Sequence, residues 1–341
     1  MSLNILPLDV VRPDLQAAGA RGDRRVGERD QGPDRQRQPG GNPVSVHAWI
    51  SDPRPPAVKR RARGWSWLLA GCLLLAGCSG AKVVYEQLDV LLPWYFRDYV
   101  DLDTGQRRQL EQAVDSLLVW HRESEIGRYA AFLRELERDA AAPLGLDRFR
   151  AARLELDAFW DDVAQRLAPE AAALLSTLSD EQVDALFARM ARDDAKLARE
   201  AQARSQEERV ERRERALRRQ LERWVGGLDG RQESLVAACA AELRADPGGW
   251  IASRQAWAAA LREALSGRQD AARFGPRLER LLAEGESFWD PGYRRQFDAD
   301  RERVLRLFAE IDASLTTKQR STLRARLERW ALDLESIAGG A

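Results

Sequence analysis

The chain has 341 residues, with 54 Lys and Arg balanced by 54 Asp and Glu, and 44% of it is apolar. That length suits one large or two small domains, and a neutral balance does not concentrate polyphosphate, so no nucleic-acid partner is expected. Three cysteines are too few for a disulfide framework.

Residues 1–57 are rich in Gly, Pro, Arg and Asp and carry no sustained apolar period, a composition that cannot bury a core. Two origins fit, a disordered extension or translated upstream sequence. We favour the second, with Val58 as the initiator of the working chain.

Residues 58–77 have the layout of an export signal. Lys59, Arg60, Arg61 and Arg63 precede an uncharged apolar run from Trp65 to Ala76, too short to span a bilayer, which takes roughly 20 residues. The run ends in two similar phrases, Leu69-Ala70-Gly71-Cys72 and Leu75-Ala76-Gly77-Cys78. Leu-Ala-Gly-Cys resembles the lipobox of bacterial lipoproteins. The resemblance implies cleavage before a cysteine that carries thioether-linked and amide-linked acyl chains such as palmitate. Cutting before Cys72 would leave only Trp65 to Ala70 as apolar core, so Cys78 is the expected lipidation site. Several acyl chains at ~0.8 kcal/mol per buried CH₂ make a stable anchor. Ser79 follows it, where Asp would signal retention at the inner membrane; the expected location is the periplasmic face of the outer membrane.

Of the charged residues, 12 of the 54 basic and 7 of the 54 acidic lie ahead of Cys78, so a chain of 264 residues starting there has a net charge of −5. Cys239 is then the only other cysteine. Its small-residue apolar surroundings, "LVAACAAEL", mark it as a packing residue.

From Cys78 onward the composition predicts an all-α fold, a bundle of antiparallel helices, with an N-terminal helical part at 78–225 and a C-terminal one at 226–341. One phrase recurs: LDTGQRRQL at 102–110, LSDEQVDAL at 178–186, LDGRQESLV at 228–236 and LTTKQRSTL at 315–323. Each has an apolar residue, then Asp, Ser or Thr, then Gln three places later. This is the capping box, and it marks a helix start. The intervals are irregular, so no solenoid period is implied.

In chain order, a first helix is expected from about Lys82 towards Arg97, disturbed or ended by Pro93. A second is expected over 104–140, kinked at Gly127, and a third from Leu146 to Leu167, stopped near Pro169. Residues 180–225 read as one long polar helix or as two with a hinge. Between Arg199 and Arg215, 11 of 17 residues are charged, a solvated arm supported by i, i+4 ion pairs, and Ser205 with Glu208 offers a second start. Helices near 230–244, 247–266 and 271–284 follow. Val304, Phe308, Ile311 and Leu315, with Leu323, Leu327, Trp330, Leu334 and Ile337, predict a closing antiparallel hairpin.

Chemistry is sparse. His121, one turn beyond Leu117, reads as a partly buried structural residue. Asp98, Asp101 and Asp103 form an acidic knot without the spacing of a calcium loop, and Asp103 reads as a cap. No phosphate loop, activated nucleophile or metal-spaced His cluster is visible, so neither cofactor nor metal is expected.

The stretch from Val83 to Glu125 carries a family resemblance. Tyr85, Leu88, Asp89, Trp94, Asp98-Tyr99-Val100-Asp101-Leu102-Asp103, Gln106 and Trp120-His121-Arg122 resemble the opening of an uncharacterised family of helical Gram-negative lipoproteins. Similar segments continue through "LSDEQ" and "ERRERALRRQLERWVGGLDGRQ". The chain departs from that pattern at Ser205, where a proline-containing break is expected. The resemblance implies a lipid-anchored, all-helical protein without a known activity. Separately, Leu315 to Gln319 is similar to a phrase in helical periplasmic chaperones. The favoured function is therefore a non-catalytic scaffold or chaperone, held to the membrane through Cys78 and binding an envelope protein through grooves or the polar arm. The alternative is a cell-envelope hydrolase built on Asp98, Asp101 and His121.

Overall fold

The computed structural model describes Lys82 and residues 85–340, and these fall in one compact unit. Residues 1–57, the signal-like segment, Cys72 and Cys78 lie outside the described residues. The described chain is an all-α bundle, and no strand occurs among the described residues.

In chain order the helices are α1 (Leu88–Arg97), α2 (Thr104–Trp120), a π turn (His121–Glu125), α3 (Ile126–Asp139), α4 (Leu146–Ser176), α5 (Asp180–Gln202) and α6 (Gln206–Val225). They continue with α7 (Gly230–Glu242), α8 (Pro247–Ser266), α9 (Ala271–Ala283), a 3₁₀ turn (Gly285–Phe288), α10 (Pro291–Ala313) and α11 (Thr317–Ala338). All four recurrent phrases start helices: Asp103, Ser179, Asp229 and Thr316 are N-caps with both halves of the capping box formed. Ser205 is a fifth, closed by Glu208. It divides 180–225 into α5 and α6, because its side chain satisfies the first-turn amides of a new helix.

Two prolines do less than expected. Pro93 sits inside α1 and Pro169 inside α4, which runs on to Ser176 instead of stopping at Leu167. A proline costs about 3 kcal/mol in a helix interior. Beyond Pro169, burial of Leu174 and Leu178 and packing of Ala171, Ala172 and Leu175 on the first core offset it. The irregularity expected at Gly127 lies just before it, in the π turn, where the Ile126 N–H reaches back to the His121 carbonyl. A Cβ at Gly127 would meet nothing within 4 Å, so glycine is not required there. It is required at Gly226, whose φ of 85° ends α6. It is required also at Gly249, where a Cβ would lie 2.3 Å from the Tyr293 ring.

Four apolar clusters hold the bundle. The first joins Leu110, Val114, Leu178, Phe187 and Leu265 with Leu278 and Leu281. The second joins Ile126, Tyr129, Leu133 and Phe159 to Leu327, Leu334 and Ile337. The third joins Leu217, Leu221, Val236 and Leu243 to Val304, Phe308 and Ile311, and the fourth is the aromatic group Trp289, Tyr293 and Phe297. Helices from both sides of Gly226 thus share the first three. The expected hairpin seam between the last two helices is not formed. The apolar stripe of α11 packs on α3 in the second cluster and that of α10 on α7 and α4 around the third, which also takes in Leu217 and Leu221 of α6, while Trp330 is 41% exposed.

Candidate functional site

His121 opens the π turn, an irregularity that concentrates at functional sites. Its Nδ1 lies 3.1 Å from the Tyr85 hydroxyl, its ring stacks on Tyr85 at 5.8 Å, and Tyr129 approaches edge-on at 5.4 Å. Tyr129 in turn packs on Phe159 at 4.6 Å. Burial pushes the imidazole below its ordinary pKa of 6.5 and raises the Tyr85 phenol, so both are neutral near pH 7. The Tyr129 hydroxyl is buried without a hydrogen-bond partner. The set is an aromatic nest around a neutral imidazole, and among the described residues no carboxylate hydrogen-bonds to the ring.

Asp98 and Asp101 are elsewhere. Both are exposed; the Asp101 carbonyl accepts from Gln182 Nε2 at 2.7 Å, and Asp98 lies near Arg189, whose charge it supports after Asp193. Asp103 caps α2. His121 follows the last residue of α2, so it stands ~27 Å along the axis from that cap at 1.5 Å per residue. The structure keeps Asp101 and His121 at opposite ends of one helix. Among the described residues no group of three or more His, Cys, Asp or Glu is placed to hold a metal.

A cleft of about 410 Å³ opens at the break between α5 and α6, facing the start of α8. Gln202, Gln206, Arg209 and Arg213 line one side and Arg244 and Asp246 the other. The charged arm is not uniformly solvated. Arg213 is 5% exposed and donates to the Leu243 and Ala245 carbonyls at 2.8 and 2.7 Å. Asp300, fully buried, accepts the Arg244 and Ala245 amides at 2.7 and 2.6 Å and pairs with Arg303 at 2.7 Å. The α7–α8 turn is therefore gripped by its carbonyls from α6 and by its amides from α10. Arg209 donates to the Arg204 carbonyl at 2.7 Å and to Gln206 Oε1 at 2.8 Å. With Arg213 and Arg209 engaged in these internal bonds, the cleft presents the exposed Arg244, Gln202, Gln206 and Asp246 over apolar floor residues such as Ile251, a mixed set that suits an amide-rich peptide segment. One of its walls lies in the arm singled out from sequence. The burial of Arg213 was missed from sequence, although Val210, Arg213, Leu217 and Leu221 step by 3, 4 and 4 along one stripe.

A second cavity, about 110 Å³, lies among Phe149, Leu221, Trp224, Phe308, Leu323 and Leu327. The buried Trp224 Nε1 has no hydrogen-bond partner. Asp312, at its rim, accepts from the Leu144 amide and Arg320, and burial nonetheless raises its pKa. Cys239 is buried, and its thiol is pushed up to about 12.

One family model matches, over residues 98–294, more than half of the chain, and it describes a family of unknown function (DUF6279). No curated protein and no solved structure matches.

Proposed function

The chain belongs to that family of unknown function, and from this premise we propose that it is a lipid-anchored protein of the outer membrane that binds an envelope protein and catalyses no reaction. The anchor is Cys78, supported by the cationic cluster, the short apolar run and the Leu-Ala-Gly-Cys phrase, with Ser79 favouring the outer membrane. Binding is carried by one observation, the guanidinium- and amide-lined cleft at the α5–α6 break. The hydrolase alternative has the length of α2 against it, since Asp101 and His121 stand at its two ends.

The test is crosslinking in cells from a photoreactive residue at Gln202 or Gln206, both exposed on the cleft rim, with a residue at Leu154 as control. A defined envelope protein captured from the cleft positions and lost with Arg209→Glu is the expected result. Equal capture from all three positions overturns the binding reading. Mass spectrometry of the purified protein decides the anchor separately, through the mass of acyl chains on Cys78.

A further inference from the structure

We propose that the outer face of α1 lies in the interfacial layer of the same phospholipid bilayer that holds the acyl chains, so that the protein is fixed in orientation as well as tethered. The inference rests on lipidation of Cys78.

Val90, Leu91, Trp94 and Tyr95 are 62%, 45%, 54% and 58% exposed, four of the nine large apolar side chains left open among the described residues. All four fall in one helix of ten residues. At about 100° per residue they share an arc of about 140°. The opposite face is accounted for: Leu92 and Phe96 pack on the first core and Leu88 on the second. α1 is thus seated on the bundle by one side and presents a continuous apolar and aromatic side outward.

The position of Cys78 names the occupant. Nine residues separate it from Leu88, ten steps of chain that make a tether of at most ~35 Å when extended and ~15 Å when helical. With the acyl chains in a bilayer, α1 cannot leave the neighbourhood of its surface, and a weak affinity becomes effective at that local concentration. The chemistry fits the interface: Trp and Tyr are the side chains that collect at headgroup depth. Two charges border this side at the end of α1, Arg97 about 20° beyond one edge of the arc and the C-cap Asp98 in line with its middle. Glu86, Asp89 and Asp98 limit any electrostatic contribution, so the contact is driven by burial of apolar surface.

The lipidated protein beginning at Cys78 and carrying Leu91→Cys, labelled with bimane, is reconstituted into phosphatidylethanolamine and phosphatidylglycerol vesicles, with the same label at Leu154→Cys as control. Brominated acyl chains are expected to quench at least half of the emission at 91, with a blue shift, and to leave 154 unchanged. An unquenched label at 91 on protein whose mass shows acyl chains overturns the inference and leaves the anchor standing. A label at 91 shielded from both bromolipid and aqueous iodide means that protein covers this face, which also overturns it. If the mass shows no acyl chains, the anchor fails on that measurement, and the inference falls with it.

Discussion

The side-chain amides of Gln106 and Gln182 hydrogen-bond to each other in both directions, Nε2 of each donating to Oε1 of the other at 3.0 and 2.7 Å. Each Oε1 also accepts its own N-cap amide, and each Nε2 also donates to a backbone carbonyl, Thr177 or Asp101. Gln232 and Gln319 repeat the arrangement, at 3.2 and 2.8 Å, so the four capping boxes join two by two. Glutamate at these places would close a box equally well, but only an amide has the donor to reach the partner box.

Replacing Gln232, which is fully buried, by Glu keeps the cap acceptor and removes the donor. The expected loss is about 1–3 kcal/mol of stability in urea unfolding, the cost of leaving buried polar atoms unmade. Glu208→Gln in the unpaired box at Ser205 is expected to change stability by less than about 0.5 kcal/mol.

Asp300 binds two backbone amides and Arg303 with no exposure to water. Asp300→Ala leaves all three unanswered and is expected to cost about 3–5 kcal/mol. Amide hydrogen exchange at Arg244 and Ala245 should rise at the same time, because these are the groups released.

The pH dependence follows from His121. Its folded pKa is depressed by burial, so the unfolded chain takes up the proton first as pH falls through about 6.5, and folding is weakened below that point. Urea midpoints at pH 7.5 and 5.5 should therefore differ, the acidic value being lower. His121→Gln should reduce that difference.

Cys239 should resist alkylation. With its pKa pushed up to about 12 and the residue 9% exposed, thiolate is scarce at pH 8. Peptide mapping after maleimide treatment is expected to find Cys239 unmodified in the folded protein and fully modified in urea.

Much of this fold was legible. The recurrent phrase located four helix starts, and Ser205 with Glu208 offered the fifth as one of two readings of 180–225, because a capping box is a local device whose partners lie three residues apart. The pairing of boxes was not, since Gln106 meets Gln182 only after the bundle has formed. The stripe of α11 announced that Leu327, Leu334 and Ile337 are buried, but periodicity does not name the surface they meet. They meet Tyr129 and Leu133 of α3, not the neighbouring α10. Pro169 misled because its local cost is outweighed by apolar burial further along α4. At the cleft, the charge of Arg213 hid a position whose spacing placed it inward.

The π turn also settles a matter of phase. Buried side chains along α2 and α3 run through Gln106, Leu110 and Val114, then Ile126, Tyr129, Ala130 and Leu133. The step from His121 to Ile126 is five where four would keep an α-helix in register. A wider turn, closing i to i−5, absorbs the surplus residue. Without it the far half of this rod, ~54 Å long over 36 residues at 1.5 Å each, would roll by about a quarter-turn and carry Tyr129 off the second core. The bulge works as a spacer that lets one shaft seat on two separate bearings.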